Sequence, residues 1–284
     1  EMPLGHFLPR KYFGIRESAF ALLHFFDLSS YASRKNPDAV LTMFEAIREN
    51  RPYEDIQLVL KVKKGDYEAS EWLKPLRDRM PEAHFVSRPL SALETKSLIN
   101  ACDCFVSLHR SEGFGRGMGE AMFLGRLAMA TGWSGNIDFM TPENSLLVDY
   151  DLVAVAEDEY PHGAGQHWAQ ARLDHAVALL EQILDNPERR RAMAAKGRRD
   201  ARLEFSYRAV GLRVLERIAE VQAILAQPRV VVEVEGDAEP DAVIDVEGVS
   251  AEPTVLSMEM ASPSAEIETL VRPLVRADRK RQMP

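Results

Sequence analysis

Cysteine is scarce: Cys102 and Cys104 are the only two among 284 residues. Placed one residue apart, they can build neither a disulfide framework nor a four-ligand zinc site. A reducing compartment is the default for such a chain, so a cytoplasmic location is expected. Long apolar runs are missing too. No uninterrupted stretch approaches the roughly 18 residues a membrane helix needs, and residues 1–13 lack the charged start and apolar run of a signal peptide. Nor is there an excess of positive charge. Lys and Arg total 35 against 44 Asp and Glu, a net charge of -9, whereas a protein that neutralises phosphates along a duplex leans the other way. Nucleic acid is therefore not expected as a partner. What the chain does have is 46% hydrophobic residues, enough for one large core or two smaller ones. It begins at Glu1 and not at Met, and is expected to be part of a longer protein.

The acidity is unevenly spread. Residues 233–268 hold eleven acidic side chains and no Lys or Arg, with prolines at 240, 253 and 263, while residues 1–228 carry 29 basic and 32 acidic groups. A one-sign run with few aromatics cannot offset its ordering entropy, so 229–284 reads as an acidic tail or linker. The alternation of Val230, Val232 and Val234 could add one edge strand. Upstream, short apolar runs alternate with stretches of helical period, the pattern of a parallel sheet with crossover helices. Strands are expected at 20–26, 56–60, 83–86, 104–108, 127–131 and 146–148. Helices are expected after Pro37, from Trp72 to before Pro81, at 93–101 opened by Ser91, and from about Gln170 to Ala226. An irregular Gly/Pro/His loop should fill 157–166. The fold class is α/β.

The informative segment is 107–139, SLHRSEGFGRGMGEAMFLGRLAMATGWSGNIDF. Glycines at 113, 115, 117 and 119 fall between an expected strand and an expected helix. There the backbone can turn tightly, and the first free N–H groups of the helix direct partial positive charge at an anion. This run follows the fourth strand, not the first, so it breaks the spacing of the dinucleotide fingerprint, and no Walker lysine follows its last glycine. Glu112 and Glu120, separated by seven residues, flank the cradle. Carboxylates repel phosphate, so they must serve something beside it, and sugar or ribose hydroxyls are good donors to such acceptors.

With EGFG and EAM set around that E-x7-E spacing, the segment resembles the donor-binding region of the group 1 glycosyltransferases, glycosyltransferase family 4. DLSSYASRKNPDAV (27–40) and TGWSGNIDFMTPENSLLVDY (131–150) extend the likeness, which covers about 13–222. The resemblance implies the C-terminal, Rossmann-like half of a GT-B arrangement: residues 1–14 as the remnant of an interdomain linker, 15–228 as the nucleotide-sugar-binding domain, and the N-terminal acceptor domain absent. It implies a retaining, metal-independent transferase moving a sugar from a nucleotide-diphosphate sugar to a glycan or glycoconjugate acceptor, with no cofactor. Glu112 would contact the donor sugar's hydroxyls and Glu120 the ribose diol. Gly113, Phe114 and Gly115, with Arg116, would line the sugar and diphosphate, and Ser134 and Gly135 would approach the donor sugar or acceptor.

Relatives carry a Gly-Arg pair after the first strand and a Lys a few residues later, both facing the diphosphate. Lys35 matches the Lys. Asp27, Leu28, Ser29 and Ser30 replace the pair, leaving Ser29 as a donor contact and Arg34 as a substitute cation. A fixed cation there stabilises leaving-group charge in the transition state. Two rival readings stay open: a nucleotide-sugar-binding module without turnover, and a dinucleotide-binding oxidoreductase domain. Peripheral membrane association through the full-length enzyme also stays open. The Asp149-Tyr150-Asp151 triplet resembles the metal motif of the other large glycosyltransferase fold but follows a late strand, far from the phosphate loop, so no metal site is expected. His109, His162 and His167 read as loop or rim histidines, and Cys102 and Cys104 as buried thiols on one face of a strand.

Overall fold

The computed structural model describes residues 7–27, 32–63, 73–157 and 159–226. Six strands, β1 (Phe20–Asp27), β2 (Ile56–Lys63), β3 (His84–Val86), β4 (Cys104–Ser107), β5 (Leu127–Thr131) and β6 (Leu146–Val148), form one sheet in the order β3-β2-β1-β4-β5-β6. Every pairing in it is parallel. Parallel strands need crossovers, and the crossovers cover both faces, which is why these strands read as near-continuous apolar runs. The connecting helices are α1 (Ala32–Lys35), α2 (Pro37–Asn50), α3 (Leu73–Arg79), α4 (Ala92–Ala101) and α5 (Arg116–Leu124), followed later by α6 (Leu173–Asp185), α7 (Pro187–Phe205) and α8 (Tyr207–Leu225).

Alternate strand residues feed two apolar layers. Leu22, Leu58, Leu60, Val106 and Met129 pack with Val40, Phe44 and Ile47 of α2 and with Leu180 and Ile183 of α6. On the other face Leu23, Val59, Phe105 and Ala130 pack with Leu98 of α4 and with Met118, Ala121 and Met122 of α5. The three- and four-residue steps of α2 bury one side of that helix, and Pro37 starts it at a position whose missing N–H costs no hydrogen bond. Ser91 caps α4 reciprocally with Glu94: the Glu94 N–H donates to Ser91 Oγ (3.2 Å) and the Ser91 N–H to the Glu94 carboxylate (2.8 Å).

Three expectations change. Both cysteines are buried but on opposite layers: Cys102 is the C-cap of α4 and packs beside α4 and α5, whereas Cys104 opens β4 and faces the α2 layer. Helix α6 begins at Leu173, because residues 167–171 are a strand. That strand, β8 (His167–Ala171), pairs antiparallel with β7 (Tyr150–Ala154), and the irregular stretch around 157–166 connects them. β7 hides no side chain fully, so it lacks the alternation that marks a half-buried strand, and its loop exceeds the 2–5 residues that announce a hairpin. The valine alternation at 230–234, Trp72 and the acidic stretch 229–284 lie outside the described residues. The chain divides into two compact units, 1–215 and 216–284. In the second, the described end of α8 carries an Arg217–Glu220 pair at 2.8 Å. Among the described residues no helix is long and apolar enough to cross a membrane.

Candidate functional site

In the strand order β3-β2-β1-β4-β5-β6 the direction of winding reverses between β1 and β4. Open parallel sheets bind ligands in the crevice beyond the carboxyl ends of the strands at such a reversal. Register between the two strands runs Leu22–Cys104 and Leu23–Phe105. One step on, the Val106 carbonyl is bonded by His24 Nδ1 at 2.8 Å. From this opening the segment carrying α1 leaves β1, and the 108–115 loop leaves β4.

Those two segments bring Arg34, Lys35 and Glu112 together. Lys35 Nζ donates to Glu112 Oε2, and Arg34 Nη1 lies 3.7 Å from the same oxygen while donating to the Ser111 carbonyl at 3.0 Å. Side chains of all three are at most one-fifth exposed, so the charges are only partly screened by water. The backbone is tied as well. Arg110 N–H donates to the Arg34 carbonyl (2.9 Å), and Asn36, left-handed at φ 51°, donates its side-chain amide to the Leu108 carbonyl (3.0 Å).

Across the loop, Glu112 N–H donates to Ser134 Oγ (2.8 Å), Ser134 Oγ to the Trp133 carbonyl (2.6 Å), and Gly135 N–H to the Glu112 carbonyl (3.0 Å). A Cβ on Gly135 would stand 1.8 Å from the Gly113 carbonyl oxygen, so the 113 and 135 backbones touch. Gly115, at φ 89°, precedes α5 with no side-chain cap, which leaves the helix N-terminus able to receive an anion. Gly113 has open space around its α-carbon. Phe114 anchors the loop against Phe139 and Phe205, ring centroids 5.2 Å away in each case. Glu120 and Arg116 lie on α5 and pair with each other at 3.6 Å. Ser29 lies outside the described residues.

His109 lies in the loop after β4, one of the two places expected for it. Instead of lining a rim it is completely buried, with Nε2 3.2 Å from the Trp133 carbonyl and 3.1 Å from Asn136 Oδ1, and Nδ1 3.0 Å from Ser107 Oγ. Nδ1 also lies 3.1 Å from the Ser107 carbonyl, so either nitrogen of the neutral ring has a carbonyl to donate to. Burial favours that form by lowering its pKa. Thr131 Oγ1 donates to the His109 carbonyl (2.7 Å), so this residue clamps the loop after β4 to the loop after β5. A single histidine between Leu108 and Arg110 carried no periodic signal of burial. Arg110, also missed, is bonded to three separate segments. Of the acidic triplet, Asp151 accepts from Arg172 at 2.6 and 3.0 Å and Asp149 lies 3.3 Å from His175. Among the described residues no cluster of three His, Cys, Asp or Glu side chains could hold a metal ion.

No protein-family model and no curated protein matches the chain. Solved structures do match by fold. HepE from Anabaena in complex with UDP-glucose superposes with a TM-score of 0.55 at 15% identity, over 74% of this chain and 51% of that one. What the two share is the fold, a parallel sheet flanked by helices. Sucrose-phosphate synthase from Thermosynechococcus elongatus gives 0.55 at 16% identity, over 77% and 50%. TarM from S. aureus, in complex with fondaparinux, alpha-GlcNAc-glycerol and UDP, gives 0.51 at 12% identity, over 72% and 35%. This chain thus spans about half the length of the first two.

Proposed function

We propose that this chain is the donor-binding domain of a glycosyltransferase of the group 1 (family 4) kind, which transfers a sugar with retention, without a metal, from a nucleotide-diphosphate sugar to a glycan or glycoconjugate acceptor in the cytoplasm. The convergence of Arg34, Lys35 and Glu112 at the sheet's reversal point carries this reading. Neighbours of the same fold, HepE crystallised with UDP-glucose and TarM with UDP, support it.

Lys35 and Arg34 would take the diphosphate, together with the uncapped N–H groups at the start of α5. Glu112 would turn from Lys35 to the donor sugar's hydroxyls and Glu120 would take the ribose diol, with Gly113, Phe114, Gly115, Arg116, Ser134 and Gly135 completing the walls. As the glycosidic bond breaks, negative charge grows on the departing diphosphate. Cations already held in place stabilise that charge more than they stabilise the bound substrate. The acceptor and the far wall of the cleft would come from a second domain.

Titrating the chain with UDP-, GDP- and ADP-sugars while following its melting temperature tests the assignment: a ligand that binds only the folded state must raise it. One of these donors should stabilise the chain, and EDTA should leave its affinity unchanged within twofold. No stabilisation by any of them would remove the donor-domain reading; a tenfold loss in EDTA would overturn metal independence.

A further inference from the structure

Arg110 stands beside the site, and the proposed function does not use it. Its Nε donates to Gln170 Oε1 on β8 at 2.8 Å, and its Nη1 lies 3.3 Å from the Ser33 carbonyl and 3.2 Å from Glu159 Oε1. The guanidinium lies over the Trp168 ring, 4.9 Å from the centroid, and Trp168 is itself buried. Backbone bonds repeat the connection: Arg110 N–H to the Arg34 carbonyl, and Ala169 N–H to the Arg110 carbonyl, both at 2.9 Å. Ser33 Oγ closes the loop by donating to the Glu159 carbonyl at 2.8 Å.

α1 is a single turn of four residues, too short to hold itself in water. Yet it presents the two cations that the proposed chemistry requires at fixed positions. Arg110 supplies what the turn lacks, because a planar fork of donors can hold a carbonyl, a carboxylate and an amide at once while stacking on an indole. We propose that Arg110 is a positioning residue, and that the β7–β8 hairpin acts through it to set where Arg34 and Lys35 meet the donor's diphosphate. The inference rests on the donor-binding reading for its ligand, but not for the pin itself. Lysine could keep the charge but not the fork.

Two measurements on Arg110→Ala and Arg110→Lys test it. In the free protein, amide hydrogen exchange at residues 33–36 should speed up while exchange in β1, β2 and β5 stays as in the wild type. Affinity for whichever of UDP, GDP or ADP the wild type binds should fall about tenfold, the scale of one misplaced charge-assisted hydrogen bond, with affinity for the matching nucleoside unchanged and Lys35-dependent discrimination between the two reduced. Arg110→Lys should recover part of the loss. A purely structural role would instead weaken nucleoside and diphosphate alike and speed exchange throughout the sheet, which overturns the proposal. If Arg110→Ala does not fold, Gln170→Ala removes only the Nε bond and should move both readouts in the same direction by less. Should the wild type bind no nucleoside diphosphate, the donor-binding reading fails, and the exchange at 33–36 alone decides the pin: unchanged exchange rejects it.

Discussion

Glu112 has two roles that oppose each other. In the free chain it neutralises Lys35 and draws Arg34 to within 3.7 Å, whereas with a donor bound its carboxylate would be wanted by the sugar. Removing it therefore unmasks two cations. Glu112→Ala should keep or raise affinity for a free nucleoside diphosphate while lowering the preference for the intact nucleotide sugar, by the ~1.5–3 kcal/mol of a lost charged hydrogen bond; calorimetry on both ligands checks it, and equal losses for the two would reject the assignment. Glu120→Ala, by contrast, should weaken both equally. Lys35→Ala leaves Glu112 facing Arg34, so the fold should survive. Turnover of the complete enzyme should nevertheless fall on the order of 10² to 10³, the cost of removing one preorganised charge stabiliser; wild-type turnover would pass the role to Arg34.

Elements whose burial follows a period were legible in the sequence. The six parallel strands, Pro37 at the head of α2 and the Ser91 cap all stand where residue spacing put them, and E-x7-E marked the loop that the sheet reversal then selects. What spacing could not show depends on contacts between distant segments: the β7–β8 pair, the burial of His109, and the loop-to-loop approach at Gly135. The sequence offers Gly135 only as a residue near the donor sugar or acceptor, whereas the reason for glycine there is the Gly113 carbonyl 1.8 Å from where a Cβ would be. Because that oxygen belongs to backbone, no rotamer change relieves the clash. Gly135→Ala should push the 113 and 135 loops apart and weaken donor binding at least tenfold, roughly 1.4 kcal/mol. The β-sheet circular dichroism should not change, since the strands are untouched. Donor affinity equal to the wild type would show that the two loops have slack and that their contact does not shape the site.

At the scale of the whole molecule, the reversal point under the site should respond to acid. His24 is fully buried on β1. Nδ1 bonds the Val106 carbonyl, and Nε2 has no hydrogen-bond partner among the described residues. Desolvation lowers its pKa from 6.5 to about 4, against the Val106 bond, with Lys35 and His109 adding to the depression. Above pH 6.5 the ring is neutral in both folded and unfolded chains and contributes no pH dependence. As pH falls from 6.5 towards 4 the unfolded chain takes up a proton that the folded one refuses, so stability is lost, by about 3 kcal/mol for a shift of this size. His109, also lowered by burial, adds in the same direction. Below pH 4 His24 protonates in both states and its contribution levels off. His24→Gln keeps an amide that can donate to Val106 and removes the titration. Urea unfolding measured between pH 4.5 and 7.5 should then give, for that variant, a stability slope shallower than the wild type's by close to one proton. The remaining slope belongs to His109 and the carboxylates. An unchanged slope would mean that water reaches His24 in the folded chain, and that the opening between β1 and β4 penetrates the sheet more deeply than its packing indicates.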